Sequence, residues 1–310
     1  MRQTIALLFL FAASASAAQA GAAPFTIRES GAGYMTLQDA VSAIGGGQGT
    51  IVIAPGRYRQ CAVQEAGRVT YAAAQPGTAI LDGVACQGKA ALVLDGASAT
   101  VEGLIFQNIR VEDGNGAGIR LQKGDLTVRE SMFRNSESGI LSHDDSGATI
   151  RIDRSTFSGL GRCDRGLDCA HSIYIGDYGN LIVERSRFER GMGGHYVKTR
   201  AARIEVTDSS FDDTAGHATN YMIDLSNGAT GTIARNIFVQ GKDKENYSAF
   251  IMVAAEGARH SSRGLAISGN DASIAPGIDR STAFVAEMEA ADVNIGPNRL
   301  GPRIQKFQQR

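Results

Sequence analysis

Tryptophan is absent from the 310 residues, proline occurs 6 times and aromatic residues make up 6% of the chain. Beside 38 glycines, that scarcity suits a chain of short strands and tight turns. Charge of either sign is not in excess: 31 basic against 32 acidic residues give a formal net charge of −1. Near-neutrality argues against broad electrostatic binding of nucleic acid or an anionic membrane. No apolar run after the first twenty residues approaches the ~20 needed to span a bilayer. The glycines of GGGQG (45–49) are not followed by GKS or GKT, which counts against a phosphate loop. Cysteines are few, with no CxxC pair and no histidine at zinc-finger spacing, so a zinc site is disfavoured.

What is present points to export. The segment MRQTIALLFLFAASASAAQA carries Arg2, an apolar run from Ile5 to Ala13 and a small-residue stretch ending at Ala20. That pattern predicts a secretory signal over residues 1–20, and hence a periplasmic or secreted protein. In an oxidising compartment the four cysteines are expected as disulfides. Cys61 and Cys86 would join adjacent coils, and Cys163 and Cys169 would close the loop CDRGLDC.

One short phrase recurs: alternating apolar residues, a turn-prone residue, then phenylalanine. It ends at Phe106, Phe133, Phe157, Phe188, Phe211 and Phe238, with gaps of 27, 24, 31, 23 and 27 residues. A repeat of roughly 20–50 residues marks a solenoid, whose units bury their apolar faces only against neighbours. A second phrase follows each phenylalanine and alternates like a strand with one buried face. Aligned, it gives an inward column Ile119, Ile140, Ile173, Val197, Ile223, Ile251 and a second column Leu121, Ser142, Ile175, Thr199, Leu225, Val253. The predicted fold class is all-β, a right-handed parallel β-helix solenoid. An amphipathic segment with Leu37, Val41 and Ile44 on one face predicts an N-terminal capping helix. The expected division is a signal at 1–20, an N-terminal segment and cap at 21–50, the solenoid at 51–296 and a tail at 297–310.

The helix followed by TIVIAPGRY (50–58) resembles the opening of the pectate-lyase-like β-helix superfamily, and the resemblance covers about residues 34–296. It implies the fold but not an activity, because lyases, hydrolases, epimerases and non-enzymatic adhesins share it. The chain is also similar to a group of exported bacterial β-helix proteins with the patterns H-x-[IL]-Y-[IV], G-H-x-[IV]-K-[ST]-R-A and D-x-x-N-G. Here these are His171 to Ile175, Gly194 to Ala201 and Asp224 to Gly228. The strand VKTR resembles, more distantly, the lysine-bearing strand of the alginate lyase and chondroitinase B family, where lysine is the base and arginine the acid. That family's second, arginine-bearing motif has no counterpart here.

The outward column of the second phrase reads Arg120, Leu141, Tyr174, Lys198, Asp224, Met252. His171, His195 and Tyr221 precede their strands, and Arg200 and Asn227 follow theirs. Strand spacing would gather His171, Tyr174, His195, Lys198, Arg200, Tyr221 and Asp224 within ~10–15 Å on three adjacent coils. An ordinary solvated face would instead scatter lysine, glutamate and threonine over every coil. Alternatives stand beside this reading. His171 and His195 share the parity of the inward residues and could form a stacked ladder at a corner. Lys198 and Asp224 could be a simple ion pair. The acidic pairs Asp144–Asp145 and Asp212–Asp213 could hold calcium but lack the spacing of a known loop; otherwise no metal or cofactor is expected.

Only one obvious carboxylate, Asp224, lies in these columns, whereas glycoside hydrolysis ordinarily uses two. β-Elimination from a uronate polymer needs a cation for the carboxylate, a base and an acid, which lysine, arginine, histidine and tyrosine can supply. The expectation is therefore a carbohydrate-active lyase on an acidic polysaccharide or oligosaccharide. Lys198 or His195 would be the base, Tyr174 or Tyr221 the acid, and Arg200 with Arg120 the carboxylate clamp. His171, Asp224 and Asn227 would help bind substrate. The rivals are a non-catalytic glycan-binding or envelope-structural protein, a uronate epimerase and a glycoside hydrolase. A monomer is expected, with no nucleic acid partner and no membrane span.

Overall fold

The computed structural model describes residues 23–289 and 292–310, so the expected leader lies outside the described residues. Among these residues the chain winds through three sheets of twelve, ten and ten strands, visiting each in turn. From Gln48–Ile53 onward each strand pairs in parallel with its equivalent one coil later. This is a right-handed parallel β-helix. The strand Phe25–Ile27 runs antiparallel to both Gly33–Tyr34 and Gln48–Ile53 and extends the first sheet at its N-terminal end. The single helix among the described residues, Leu37–Ile44, is N-capped by Thr36, whose hydroxyl accepts from the Asp39 amide, and it buries Leu37, Ala40 and Val41 over the first coil.

The recurring phrase maps onto one corner. Glu130, Arg154, Arg185, Asp208 and Arg235 each turn the chain with positive φ between the first and second sheets. The next residue of each coil forms a ladder: Ser131 N–H donates to Ser155 Oγ, Ser155 to Ser186, Ser186 to Ser209 and Ser209 to Asn236 Oδ1, at 3.0–3.3 Å. These side chains accept the corner amides that no sheet would satisfy. Two residues further on, the six phenylalanines from Phe106 to Phe238 stack with centroids 4.8–4.9 Å apart, set by the strand spacing.

The first expected inward column pairs residue for residue, from Ile119 with Ile140 to Ile223 with Ile251, and the second does so except between Ser142 and Ile175. Pairing also runs past residue 296. Arg299–Leu300 joins the second sheet and Ile304–Gln309 the third, so the segment expected as a tail completes a coil. Both disulfides are formed, Cys61 with Cys86 and Cys163 with Cys169. No helix among the described residues is long and apolar enough to cross a membrane.

Candidate functional site

The site lies on the outer face of the third sheet, and a break in alternation creates it. Tyr196 and Val197 both enter the core, as do Met222 with Ile223 and Phe250 with Ile251. Two consecutive inward residues reset the parity. The preceding residues His195, Tyr221 and Ala249 therefore face outward with Lys198, Asp224 and Met252. Earlier coils put Gly118 and Gly139 at the first inward position, where a Cβ would come within 2.6–2.8 Å of the rings of Phe133 and Phe157. The phenylalanine stack already fills that space.

His171 and His195 are thus neither core residues nor free. Their rings stack at 4.9 Å, His195 N–H donates to His171 Nδ1 at 3.0 Å, and Tyr221 continues the stack at 5.5 Å. The second column runs Tyr174, Lys198, Asp224 in direct register. Asp224 is 2% exposed. Its Oδ2 accepts from Ser226 Oγ at 2.9 Å and lies 3.4 Å from Lys198 Nζ and 3.5 Å from His195 Nε2. Three buried side-chain polar atoms among the described residues have no partner, and two of them, His195 Nδ1 and Asp224 Oδ1, belong to this pair. Unsatisfied buried polar groups are rare in folded proteins.

Sequence reasoning missed Glu256. It sits in the turn after Ala249–Val253, and its carboxylate bridges Lys198 Nζ at 2.6 Å and an Arg200 guanidinium nitrogen. Arg200 and Lys198 both lie over the Tyr174 ring, 5.0 and 5.8 Å from its centroid. The segment carrying Glu256 is a strap across the coils. Glu256 N–H donates to Ser226 O, His260 N–H to Asn227 O, and Asn227 Nδ2 to Glu256 O. Further along, His260 Nε2 and Arg259 reach Asp177 at 3.0 and 2.6 Å. Period analysis could not place Glu256, because a turn residue has no equivalent in the coils. Asn227 anchors this strap, which occupies the amide expected to meet substrate.

Arg120 is separated from the cluster. It is in register with Leu141, Tyr174 and Lys198 in turn, three strand spacings or ~14 Å from the lysine. It cannot share a carboxylate with Arg200. The acidic pairs are committed elsewhere: Asp145 accepts from the Gly124 and Gly147 amides, Asp144 from Asp177, and Asp213 from Lys244, Tyr196 and Thr219. No group of three or more histidine, cysteine or acidic residues among those described could hold a metal ion.

Protonation follows from burial. Burial, reinforced by the Lys198 charge, drives His195 down to about 3, and burial with the His195 and Lys198 charges lowers His171 well below its usual value. Burial raises Asp224, because Lys198 contacts only one of its oxygens and that at long range. Burial also opposes the Lys198 charge, but Asp224 and Glu256 outweigh it and raise the ammonium above its ordinary value. Lys198 is therefore held as a cation, which disfavours the role of base expected for it. His195 and His171 are neutral at pH 7.

The chain's relatives agree with this architecture. A family described as right handed beta helix region matches residues 90–275. The chain belongs to the right-handed β-helix family. No curated protein matches it. Among solved structures it is similar to ORF18 of Geobacillus virus E2, with a TM-score of 0.54 and 13% identity over 88% of this chain and 56% of that one. The chain thus spans little more than half of that β-helix protein. It also aligns with the Streptococcus pneumoniae surface protein and adhesin PfbA at a TM-score of 0.39 and 8% identity, covering 88% of this chain and 94% of that one. At these identities the likeness of a β-helix neighbour concerns the fold alone.

Proposed function

We propose that this is an exported carbohydrate-active protein that seats the carboxylate of a uronate unit on Lys198 and Arg200 and cleaves the polysaccharide by β-elimination. One observation carries the reading: the seat already holds a carboxylate, that of Glu256. Two cations fixed over a tyrosine face and bridging one carboxylate form the site an acidic sugar needs. A substrate carboxylate takes the place of Glu256 as the strap shifts. The same shift uncovers the neutral His195 imidazole, whose Nε2 faces Asp224, and its free Nδ1 removes the C5 proton. The electron pair forms the C4–C5 double bond as the C4–O bond breaks, and the Lys198 and Arg200 charges stabilise the developing enolate. Tyr221 protonates the leaving oxygen. Asn246 Nδ2 at 2.8 Å and Ser248 Oγ at 3.5 Å both donate to the Tyr221 hydroxyl, which leaves its own proton to give. Proton exchange with water then resets His195 and Tyr221. Tyr174 serves as the platform for the cations.

A second reading rests on Asp224 and Glu256. Both contact Lys198 Nζ, at 3.4 and 2.6 Å, so their oxygens lie within about 6 Å, near the ~5–5.5 Å separation of retaining glycosidases. Product analysis separates the two: elimination yields an unsaturated uronate, hydrolysis a saturated reducing end. The protein and its Glu256→Gln and Lys198→Met variants are titrated with oligomers of alginate, pectate, glucuronan and glycosaminoglycans. Glu256→Gln should bind a uronate oligomer about tenfold more tightly, because displacing one charge-assisted contact costs ~1.5 kcal/mol. Lys198→Met should not bind it. Saturable binding with intact ligand identifies a non-catalytic binder. Failure of all three proteins to bind any acidic glycan overturns the proposal.

A further inference from the structure

The outer face continues beyond Asp224. Its two columns pass over the buried Ala249 and Met252, then Ala283 and Ala286, and end at Gln305 and Gln308 on the terminal strand Ile304–Gln309. There a cleft of about 620 Å³ opens. Gln305, Gln308, Asn246, Tyr247, Arg303 and Arg310 are among the residues that line it. We propose that this cleft is a second saccharide subsite, which holds sugar units of the same acidic glycan several residues away from the unit on Lys198 and Arg200. The inference rests on the acidic-glycan reading of this face.

Size, chemistry and placement carry it. The volume falls within the ~300–1,000 Å³ of ligand pockets. The wall is polar and rich in planar amides, which offer a donor and an acceptor side by side and so match the neighbouring hydroxyls of a pyranose. Tyr247 is 48% exposed, and the Arg280 guanidinium lies on its ring at 4.8 Å, which holds it as a rigid stacking surface. Asn246 lines the cleft and also donates to the Tyr221 hydroxyl, so cleft and cluster share a wall. From the strand of Lys198 to the terminal strand is four spacings, ~19 Å along the axis, a span only an oligomer bridges. Arg310 and Glu245 both line the cleft, and Arg303 is paired with Asp279 at 2.8 Å, so the cleft presents charges of both signs beside its amides.

The test is the length dependence of binding. Uronate oligomers from dimer to octamer are titrated into the wild-type protein and into Tyr247→Ala and Gln305→Ala, two exposed or half-exposed positions whose loss should leave the fold intact. In the wild type, affinity should rise once the oligomer spans both places. The variants should flatten that rise, losing about five- to tenfold on the longest oligomer, while binding the shortest oligomer that reaches Lys198 as the wild type does. Variants that keep the full length dependence overturn the subsite and leave the Lys198–Arg200 seat standing. A wild type that binds no oligomer of any length overturns the seat and the subsite together.

Discussion

Acid should destabilise this protein through two histidines before its surface carboxylates titrate. Unfolding returns His171 and His195 to their ordinary value near 6.5, whereas burial holds His195 at about 3 and His171 well below its usual value. Between those limits the unfolded chain binds two protons that the folded chain refuses, so stability is complete above pH 6.5 and falls as pH falls. The slope is 2.303RT for each proton, about 1.4 kcal/mol per pH unit, so His195 alone costs roughly 2 kcal/mol by pH 5 and His171 adds to that loss in the same sense. That is a large part of an ordinary stability of ~5–15 kcal/mol. Asp224 works in the opposite sense. Its raised folded value means that the native state takes up a proton first, which offsets about one histidine as pH approaches that value. Urea midpoints measured from pH 8 to 4.5 read the effect directly, and are preferred to a fitted free energy because long repeat arrays depart from two-state unfolding. The wild type should lose stability steeply below pH 6.5, while the His171→Gln/His195→Gln variant should stay nearly flat to about pH 5. Equal slopes in both proteins would refute the argument, and with it the assignment of His195 as a neutral base.

Two further outcomes test the frame that holds the site. Lys244→Met should cost ~3–5 kcal/mol, because Lys244 and Asp213 are fully buried and paired at 3.0 Å, and the change strands the carboxylate; thermal unfolding reads the loss. Phe157→Ala should cost ~3–5 kcal/mol by opening a cavity between the rings at 4.9 and 4.8 Å, and denaturant titration should show a lowered midpoint.

The solenoid was legible because its period is enforced at every coil. Moving Phe188 off its place would break contact with two rings at once, so the spacing survives insertions that lengthen only the loops. The outward column Tyr174, Lys198, Asp224 was legible for the same reason. The facing of His171 and His195 was not. Strict alternation from Ile173 and Val197 puts them inside, and only the extra inward residue at the corner turns them out. Arg120 shows the complementary limit, since a shared column fixes a direction but leaves ~14 Å between the ends of three strand steps. Glu256 lay beyond reach, because its partners are chosen by how a turn folds over the neighbouring coils.

The same geometry explains why the cluster can bury charge at all. Asp224, His195 and Lys198 hang from strands whose inner side is a continuous aliphatic and aromatic stack, and neighbouring coils repeat the backbone pairing on both sides. An unsatisfied Asp224 Oδ1 costs on the order of 1–3 kcal/mol, which a frame of this kind can hold in place. Downstream the two columns hold Ala249, Met252, Ala283 and Ala286, all buried and packed in one cluster with Tyr221. Polar groups return at Asn246, Gln305 and Gln308. Two polar stations set several strand spacings apart along the axis suit a ligand that is itself a repeating polymer.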